Sequence, residues 1–397
     1  MSLIERLNAP GPKRILTLDG GGVRGAITLG YLKRLETILM KQSGDPDFRL
    51  SDYFDLVGGT STGSILASCI AIGMKVDDIK VNYFNVINKI FGKKYSQWNV
   101  IPSKGAQKIV NILFSKADYD SRPIEDALKM MFKDITLGSD DFKSGLVIVA
   151  KRADTNSTWP LINHPGGKYF NSEHGRNNEI LLWKAVRASA AAPTYFIPLI
   201  IDVGGGIPAA AFVDGGMTMA NNPSLQTLMV ATLKGFPFRW KMGAENLLLV
   251  SIGTGVSKTN KQSTDITAYQ EFQWAAQIPD MLMEDASWQN QIIMQWLSNS
   301  PVPWEIDGEI GDLDGDLIAP GDNGNGLLSY VRYNTWLTKA YLDKLMSKSY
   351  AQEKVTDFNQ MDHAANCDEL FSIASVAAEK EMKEEHFPGS FMADARS

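Results

Sequence analysis

The stretch Phe54-Asp55-Leu56-Val57-Gly58-Gly59-Thr60-Ser61-Thr62-Gly63-Ser64-Ile65-Leu66-Ala67 decides how the rest of the chain is interpreted. A short apolar run leads into Gly59-x-Ser61-x-Gly63, and small and apolar residues at helical spacing follow. This pattern predicts a strand, a very tight turn and a buried helix, with glycine beside the serine because a Cβ there would collide with the strand or the helix. Ser61 is therefore a candidate nucleophile above a helix N-terminus, although a purely structural turn can have the same sequence.

A second glycine-rich turn, Asp19-Gly-Gly-Gly-Val-Arg-Gly25, follows the apolar run Ile15–Leu18. Its glycine spacing suits a dinucleotide site, an oxyanion hole or a plain tight turn. A dinucleotide site needs an acidic residue at the end of a second strand, whereas Glu36 lies within the first predicted helix. The P-loop pair Lys-Ser/Thr is also missing. Consecutive glycines expose backbone N–H groups to one oxyanion, so an oxyanion loop suits a serine elbow better.

The serine needs a base, and Asp214 is the best placed carboxylate. It ends the short apolar run Ala211–Val213 and precedes Gly215 and Gly216, which allow another backbone to come close. An aspartate beside a serine can orient and deprotonate it directly. An ordinary Asp-Gly turn is the alternative. None of the four histidines follows an apolar strand, and we interpret each as a surface residue: His164, His174, His363 and His386.

Taken together, the three motifs resemble the patatin-like phospholipases. The small-residue segment Ala185–Phe196 and Ser251-Ile-Gly-Thr-Gly255 support the resemblance, which covers about residues 13 to 256. It implies a Ser–Asp dyad hydrolase that needs no metal or other cofactor, with Ser61 as nucleophile and Asp214 as base. Carried over in the same way, the oxyanion loop comprises Gly20, Gly21, Gly22, Arg24 and Gly25.

Composition excludes several classes of partner. With 44% hydrophobic and 21% charged residues the chain has the composition of a soluble globular protein, and its net charge is −6. That charge argues against nucleic acid and against electrostatic capture by an anionic membrane, so we expect membrane contact to be local, apolar and transient. Two cysteines, Cys69 and Cys367, suit a reducing compartment. Without a signal-like or membrane-spanning stretch, the expected location is cytoplasmic and at most peripheral to a membrane.

Alternating strands and helices predict the fold class. Further apolar runs at Asp52–Val57, Leu146–Ala150 and Leu247–Ile252 are typical of buried parallel strands. We therefore expect a three-layer α/β fold, with a mostly parallel central sheet and helices on both faces. Residues 13–256 are predicted to form the catalytic domain. Residues 257–397 are predicted to form a mainly helical extension packed on it, with a disordered tail near 388–397.

The sequence assigns no role to two features of the extension. The helix predicted near 272–297 carries an apolar stripe that includes Trp274, Ile278 and Met281, and such stripes usually pack on the core. The acidic segment 307–322 misses the EF-hand pattern, because Leu317 replaces the required glycine and Asn323 the bidentate glutamate. We expect no calcium there.

The predicted function is hydrolysis of fatty acyl esters in glycerolipids, of the phospholipase A, lysophospholipase or esterase type. A Ser-His-Asp esterase and a non-catalytic storage or regulatory lipid-binding protein are the alternatives. An activating protein or small-molecule signal is compatible with the sequence but cannot be read from it.

Overall fold

A computed structural model gives the architecture. It describes residues 2–91, 119–193, 195–204, 206–257, 263–267, 269–302, 304 and 326–392. The acidic segment 307–322, where the sequence predicts no calcium, lies outside the described residues.

A nine-stranded sheet forms the centre of the molecule. Strands β3, β2, β1, β7, β9 and β8 follow one another as parallel neighbours, and β4, β6 and β5 add antiparallel pairs at one side. The strands are Lys13–Leu18 (β1), Leu56–Thr60 (β2), Gly145–Arg152 (β3), Ser157–Ile162 (β4), Leu199–Ile201 (β5), Ala210–Asp214 (β6), Leu247–Ile252 (β7), Asn299–Val302 (β8) and Ser329–Tyr333 (β9).

Helices cover both faces of the sheet. They are Leu3–Asn8 (α1), Gly25–Ser43 (α2), Leu50–Tyr53 (α3), Thr62–Ala71 (α4), Val76–Phe91 (α5), Arg122–Phe132 (α6), Leu182–Ser189 (α7), Ser224–Thr232 (α8), Ser263–Thr267 (α9), Glu271–Trp296 (α10), Lys339–Met346 (α11), Gln352–Phe358 (α12) and Cys367–Glu381 (α13). None of these helices is long and apolar enough to cross a membrane.

Successive side chains of the parallel strands pack into two separate hydrophobic cores, one on each face of the sheet. Leu16 and Leu18 of β1 point into the larger core, which α2, α4, α5 and α13 complete. Ile15, which precedes Leu16 in the strand, joins the smaller core on the opposite face, together with residues of α1 and α8. Because side chains alternate across a strand, burial on both sides requires the continuous apolar runs seen in the sequence. The predicted three-layer α/β fold is confirmed.

Strand β3 brings the ends of β2 and β6 together. Strand β4 occupies one edge of β3 from Val147 to Arg152, so β2 and β6 share the other edge. Thr60, the last residue of β2, pairs with Val149. Asp214, the last residue of β6, pairs with Ala150, the next position along β3. Two strands that run toward each other therefore end at adjacent positions, and the residues that follow them meet.

Several predictions of local structure are wrong. The second strand begins at Leu56 and not at Asp52, because residues 50–53 form a helical turn. The segment after 256 is mainly helical, as predicted, but it also adds β8 and β9 to the sheet. The predicted disorder near 388–397 does not hold for residues 388–392, where Phe391 is buried in the larger core.

The stripe on α10 does not pack on the sheet along its length. Trp274, Ile278 and Met281 are exposed, whereas the buried side of the helix presents Asn290 and Met294. Two free cysteines, Cys69 and Cys367, are buried as small apolar groups.

Candidate active site

Ser61 lies on a strained turn between β2 and α4. Its backbone has φ 53° and ψ −124°, a conformation that costs a residue with a side chain about 1–3 kcal/mol. The flanking glycines make the turn feasible, since a Cβ on Gly59 would collide with the backbone of Gly63, and a Cβ on Gly63 with the carbonyl of Leu18. The turn thus has the geometry that the Gly-x-Ser-x-Gly motif predicts.

Two serines hold the backbone of this turn. The N–H of Ser61 donates to Ser189 Oγ at 2.9 Å, and Ser189 Oγ donates to the carbonyl of Val149 at 2.6 Å. Ser64 Oγ donates to the carbonyl of Ser61 at 2.6 Å. Sequence reasoning missed Ser189, although it lies in the small-residue segment 185–196. The tether connects the elbow to β3 and offsets part of the strain.

Ser61 and Asp214 form a hydrogen-bonded pair. Ser61 Oγ donates to Asp214 Oδ2 at 2.7 Å, and the N–H of Gly216 donates to Asp214 Oδ1 at 2.7 Å. Ser61 is half-buried and Asp214 is buried. Gly215 must lack a side chain because its Cβ would collide with the carbonyl of Val149. Each carboxylate oxygen therefore has one donor, which sets the orientation of the carboxylate toward the serine.

Burial changes the proton affinity of this carboxylate. Loss of solvent raises the pKa of Asp214 from an ordinary value of 3.8 to about 6, against the opposing effects of the Ser61 and Gly216 hydrogen bonds and the charge of Arg187. Arg187 is itself fully buried and donates to Ser121 Oγ at 2.7 Å. A carboxylate with a pKa near neutrality is a better proton acceptor than an exposed one and is still ionised at pH 7. Sequence reasoning did not identify Arg187 as a charge that acts on Asp214.

The glycine loop runs beside the serine and is held by distant residues. A Cβ on Gly20 would lie 3.2 Å from Ser61 Cβ, so the loop passes directly alongside the elbow. Thr254 Oγ1 donates to the carbonyl of Gly20 at 2.9 Å, and Tyr83 Oη donates to that of Gly22 at 2.5 Å. These two bonds leave both carbonyls satisfied and the loop conformation restricted.

The N–H groups of the loop fall into two sets. Gly20 donates to the carbonyl of Asn221 at 3.1 Å, and Val23 donates to that of Met361 at 2.8 Å. Gly21 and Gly22 donate to no residue in the described part of the chain. Gly22 has φ 56°, and a Cβ there would collide with the carbonyl of Met361. Of the three consecutive glycines, the second and third thus have N–H donors without a partner in the described ranges, and the first does not.

A buried ion pair anchors the start of the loop. Arg332 of β9 donates through Nη1 to Asp19 Oδ1 at 2.9 Å and through Nη2 to Asp19 Oδ2 at 2.6 Å. The same guanidinium donates to Ser251 Oγ at 2.6 Å. Bidentate pairing fixes the carboxylate in a plane, and breaking a buried pair of this kind costs several kcal/mol, about 3–5. Arg332 and Met361 lie beyond residue 256, where the catalytic domain is predicted to end.

Arg24 and Gly25 close the loop. The Nε atom of Arg24 is buried and has no hydrogen-bond partner among the described residues. Burial lowers the pKa of Arg24, while the acidic residues Asp280 and Glu284 of α10 oppose that shift. Gly25 lies against the hydroxyl of Tyr83, which leaves no room for a side chain. The Nε–H of Arg24 is thus a donor without a partner among the described residues, near two carboxylates of α10.

The histidines lie elsewhere, and two of them contradict the surface interpretation. His164 and His386 are buried, the first accepting from the N–H of Gly166 at 3.0 Å and the second 2.7 Å from the hydroxyl of Tyr333. His174 and His363 are exposed. Neither Ser61 nor Asp214 hydrogen-bonds to a histidine within the described ranges. Across the same ranges, no three His, Cys, Asp or Glu side chains cluster in a way that could hold a metal ion.

Comparison with known proteins agrees with the motifs. A family model described as patatin-like phospholipase matches residues 16–228. A cGAMP-activated phospholipase of Escherichia coli is 29% identical over 61% of this chain and 62% of its own length. A second protein of that name, from Vibrio cholerae, is 32% identical over 53% of this chain and 55% of its length.

A patatin of Solanum tuberosum, patatin group A-3, is 26% identical over 66% of this chain and 65% of its own length. The chain thus spans less than two thirds of the length of each of these curated relatives. The family model itself covers more than half of the chain and includes the glycine loop, the serine elbow and the Asp-Gly-Gly turn. The chain belongs to the patatin-like phospholipase family.

Proposed function

We propose that this protein is a lipid acyl hydrolase that cleaves fatty acyl esters of glycerophospholipids through a Ser61–Asp214 dyad. The observation that carries the proposal is the 2.7 Å hydrogen bond from Ser61 Oγ to a buried carboxylate with a pKa of about 6. Such a carboxylate is both correctly oriented and basic enough to take the serine proton in the transition state. Family membership supports the same chemistry.

The reaction proceeds in two halves. Ser61 Oγ attacks the ester carbonyl carbon while its proton passes to Asp214 Oδ2. The tetrahedral intermediate collapses when the C–O bond to the glycerol oxygen breaks, and that oxygen takes the proton from Asp214. The lysolipid leaves and the fatty acyl group stays on Ser61. Water then attacks the acyl-enzyme with Asp214 again accepting a proton, and the fatty acid is released with Ser61 reprotonated.

The negative charge on the intermediate needs donors that exist before the reaction begins. We assign this role to the N–H groups of Gly21 and Gly22, which pair with no residue that the structure describes while the rest of their loop is restrained. The N–H of Thr62, the first residue of α4, also donates to no described residue and lies next to the nucleophile. Preorganised donors of this kind contribute most to catalysis because they need no rearrangement during the reaction.

A phospholipid is the substrate class that suits the charges around the dyad. The guanidinium of Arg24 has a buried nitrogen without a partner among the described residues and can pair with a phosphate. A Ser-His-Asp esterase is disfavoured because the four histidines make other contacts or lie at the surface. A storage or binding protein without turnover would not need an intact hydrogen-bonded dyad.

The test uses phosphatidylcholine dispersed in mixed detergent micelles, with released fatty acid measured by mass spectrometry. We expect release by the wild type and none above background by Ser61→Ala, since the methyl group fits the same turn but cannot attack. Ser372→Ala, at an exposed serine on α13, is the matched control and should be fully active. Because two relatives are named cGAMP-activated, each assay is run with and without cGAMP. Equal release by wild type and Ser61→Ala would refute the proposal.

A further inference from the structure

Helix α10 exposes apolar side chains to solvent and buries polar ones, which is the reverse of a usual amphipathic surface helix. Its buried side presents Asn290, Gln291 and Gln295 to the protein, together with Ala286 and Met294. Five large apolar side chains of the helix are nevertheless exposed, and we call these five residues the outer face of α10: Trp274 (36% exposed), Ile278 (47%), Met281 (49%), Leu282 (63%) and Trp296 (50%). Surface helices of globular proteins normally place apolar residues inward, so an outward stripe of this size indicates an interaction surface.

Four members of the outer face lie within residues 274–282, and Trp296 lies on the same side near the end of the helix. The exposed positions between Leu282 and Trp296 are polar: Glu284, Asp285 and Gln289. Steps of four, three and one residues separate its first four members, which places them on one side of an α-helix. Trp274 and Trp296 lie 22 positions apart, or roughly 33 Å at 1.5 Å per residue. Tryptophan is enriched at membrane–water interfaces, where its amphipathic ring lies at the level of the lipid headgroups.

This helix is also next to the dyad. Asn290 Nδ2 donates to the carbonyls of Met219 and Asn222, at 2.5 and 3.0 Å, in the segment that follows Asp214. Met283 Sδ lies 3.5 Å from where a Cβ on Gly216 would be. Within the same segment Met217 and Met219 are 48% and 59% exposed. The inner side of α10 therefore contacts the segment that follows Asp214, and that segment adds two exposed apolar side chains beside the site, Met217 and Met219.

The charges on helix α10 indicate which kind of bilayer it can bind. Residues 271–296 contain no lysine or arginine but include Asp280, Glu284 and Asp285, and the whole chain has a net charge of −6. An anionic bilayer would repel this helix, whereas the cationic choline or ethanolamine groups of a zwitterionic bilayer complement it. The apolar side chains would provide the binding free energy, since moving apolar surface out of water is favourable in proportion to the area that is buried.

We propose that the outer face of α10 docks on the surface of a zwitterionic phospholipid bilayer and brings the dyad to its substrate. This inference rests on the proposed function, because a lipid substrate is what makes a bilayer the appropriate partner. Docking would bury the outer face and Met217 and Met219 in the interface. The acyl ester would then reach Ser61 without complete extraction of the lipid into water.

The experiment measures binding and turnover separately. Flotation with phosphatidylcholine vesicles is performed in the Ser61→Ala background, so that hydrolysis does not alter the vesicles. Ile278→Ser/Leu282→Ser should weaken vesicle partitioning by about tenfold or more. In the active background the same double substitution should lower the ratio of the vesicle rate to the soluble-ester rate by a similar factor. Both positions are exposed, so circular dichroism should show an unchanged fold.

Val81→Ser/Met130→Ser is the matched control, because these residues are 61% and 71% exposed in α5 and α6. It should not change vesicle partitioning. Unchanged partitioning in Ile278→Ser/Leu282→Ser would overturn the proposal, as would binding that requires phosphatidylglycerol. If light scattering shows a dimer that the α10 double substitution dissociates while vesicle binding persists, the face binds a second copy and the proposal is wrong. Vesicle binding without any ester hydrolysis by the wild type would instead refute the proposed function and leave the docking inference standing.

Discussion

The serine elbow and the glycine loop are two glycine-rich turns after neighbouring parallel strands, yet different parts of the chain stabilise them. The elbow at Ser61 is held by nearby helix residues and by Ser189, and it directs a side chain outward. The glycine loop is held by residues far along the chain, Thr254, Arg332 and Met361, and it presents backbone N–H groups. Both turns depend on distant segments, but those that hold the elbow are Ser189 and strand β3, whereas those that hold the glycine loop come mainly from residues after 250.

The largest effect is expected at the elbow, when the proposed base Asp214 is replaced. Asp214→Asn keeps the shape of the side chain but cannot accept a proton, so we expect kcat to fall on the order of 10⁴-fold with the fold intact. Steady-state kinetics on a short-chain chromogenic ester measures this. Retention of more than about a tenth of wild-type kcat would show that another group is the base.

A change in the loop itself should cost less and should act on kcat alone. A Cβ on Gly21 would collide with the side chain of Thr254 and displace the free donors, so Gly21→Ala should lower kcat by about 10²–10³-fold. Because these donors matter mainly in the transition state, KM should change little. Gly235→Ala is the control, since a Cβ there meets no atom within 4 Å. A raised KM with normal kcat would mean that the loop binds the lipid and not the oxyanion.

Acidification should affect the elbow and not the loop. The pKa of Asp214 is raised to about 6, so the carboxyl is protonated below that pH and cannot accept the serine proton. We expect kcat/KM to fall about tenfold per pH unit below that value. To test whether a histidine contributes to the profile, the measurement is repeated with His174→Gln/His363→Gln, at the two exposed histidines. A changed midpoint in that variant would assign the titration to histidine.

The smallest of these effects is expected at the anchor of the glycine loop. Arg332→Lys keeps the positive charge but loses the bidentate geometry on Asp19, so the loop should be less well positioned. We expect kcat to fall several-fold, up to about tenfold, with KM unchanged and a lower Tm. A purely structural role would lower Tm and leave kcat at its wild-type value below the unfolding transition. That result would show that Arg332 stabilises the fold but does not position the glycine loop for catalysis.

Much of the candidate site could be predicted because it is governed by steric rules that a few residues carry. Glycine is required at positions 59, 63 and 215 because a Cβ there would lie within 3 Å of backbone atoms, and such requirements are visible in a sequence as motifs. The apolar runs before each motif identify the strands, since a strand buried on both faces has few polar positions. The candidate nucleophile, its partner carboxylate and the fold class follow from these features alone.

Other features depend on which distant segments meet, and local patterns do not contain that information. Which of Gly20, Gly21 and Gly22 keeps a free N–H depends on the Asn221 carbonyl, and the anchor Arg332 comes from a strand in a region whose sequence predicts a helical extension. The burial of His164 and His386 and the outward stripe of α10 are likewise decided by tertiary packing. Periodicity identifies the apolar side of a helix, but only the arrangement of the other elements decides whether that side faces the core or the solvent.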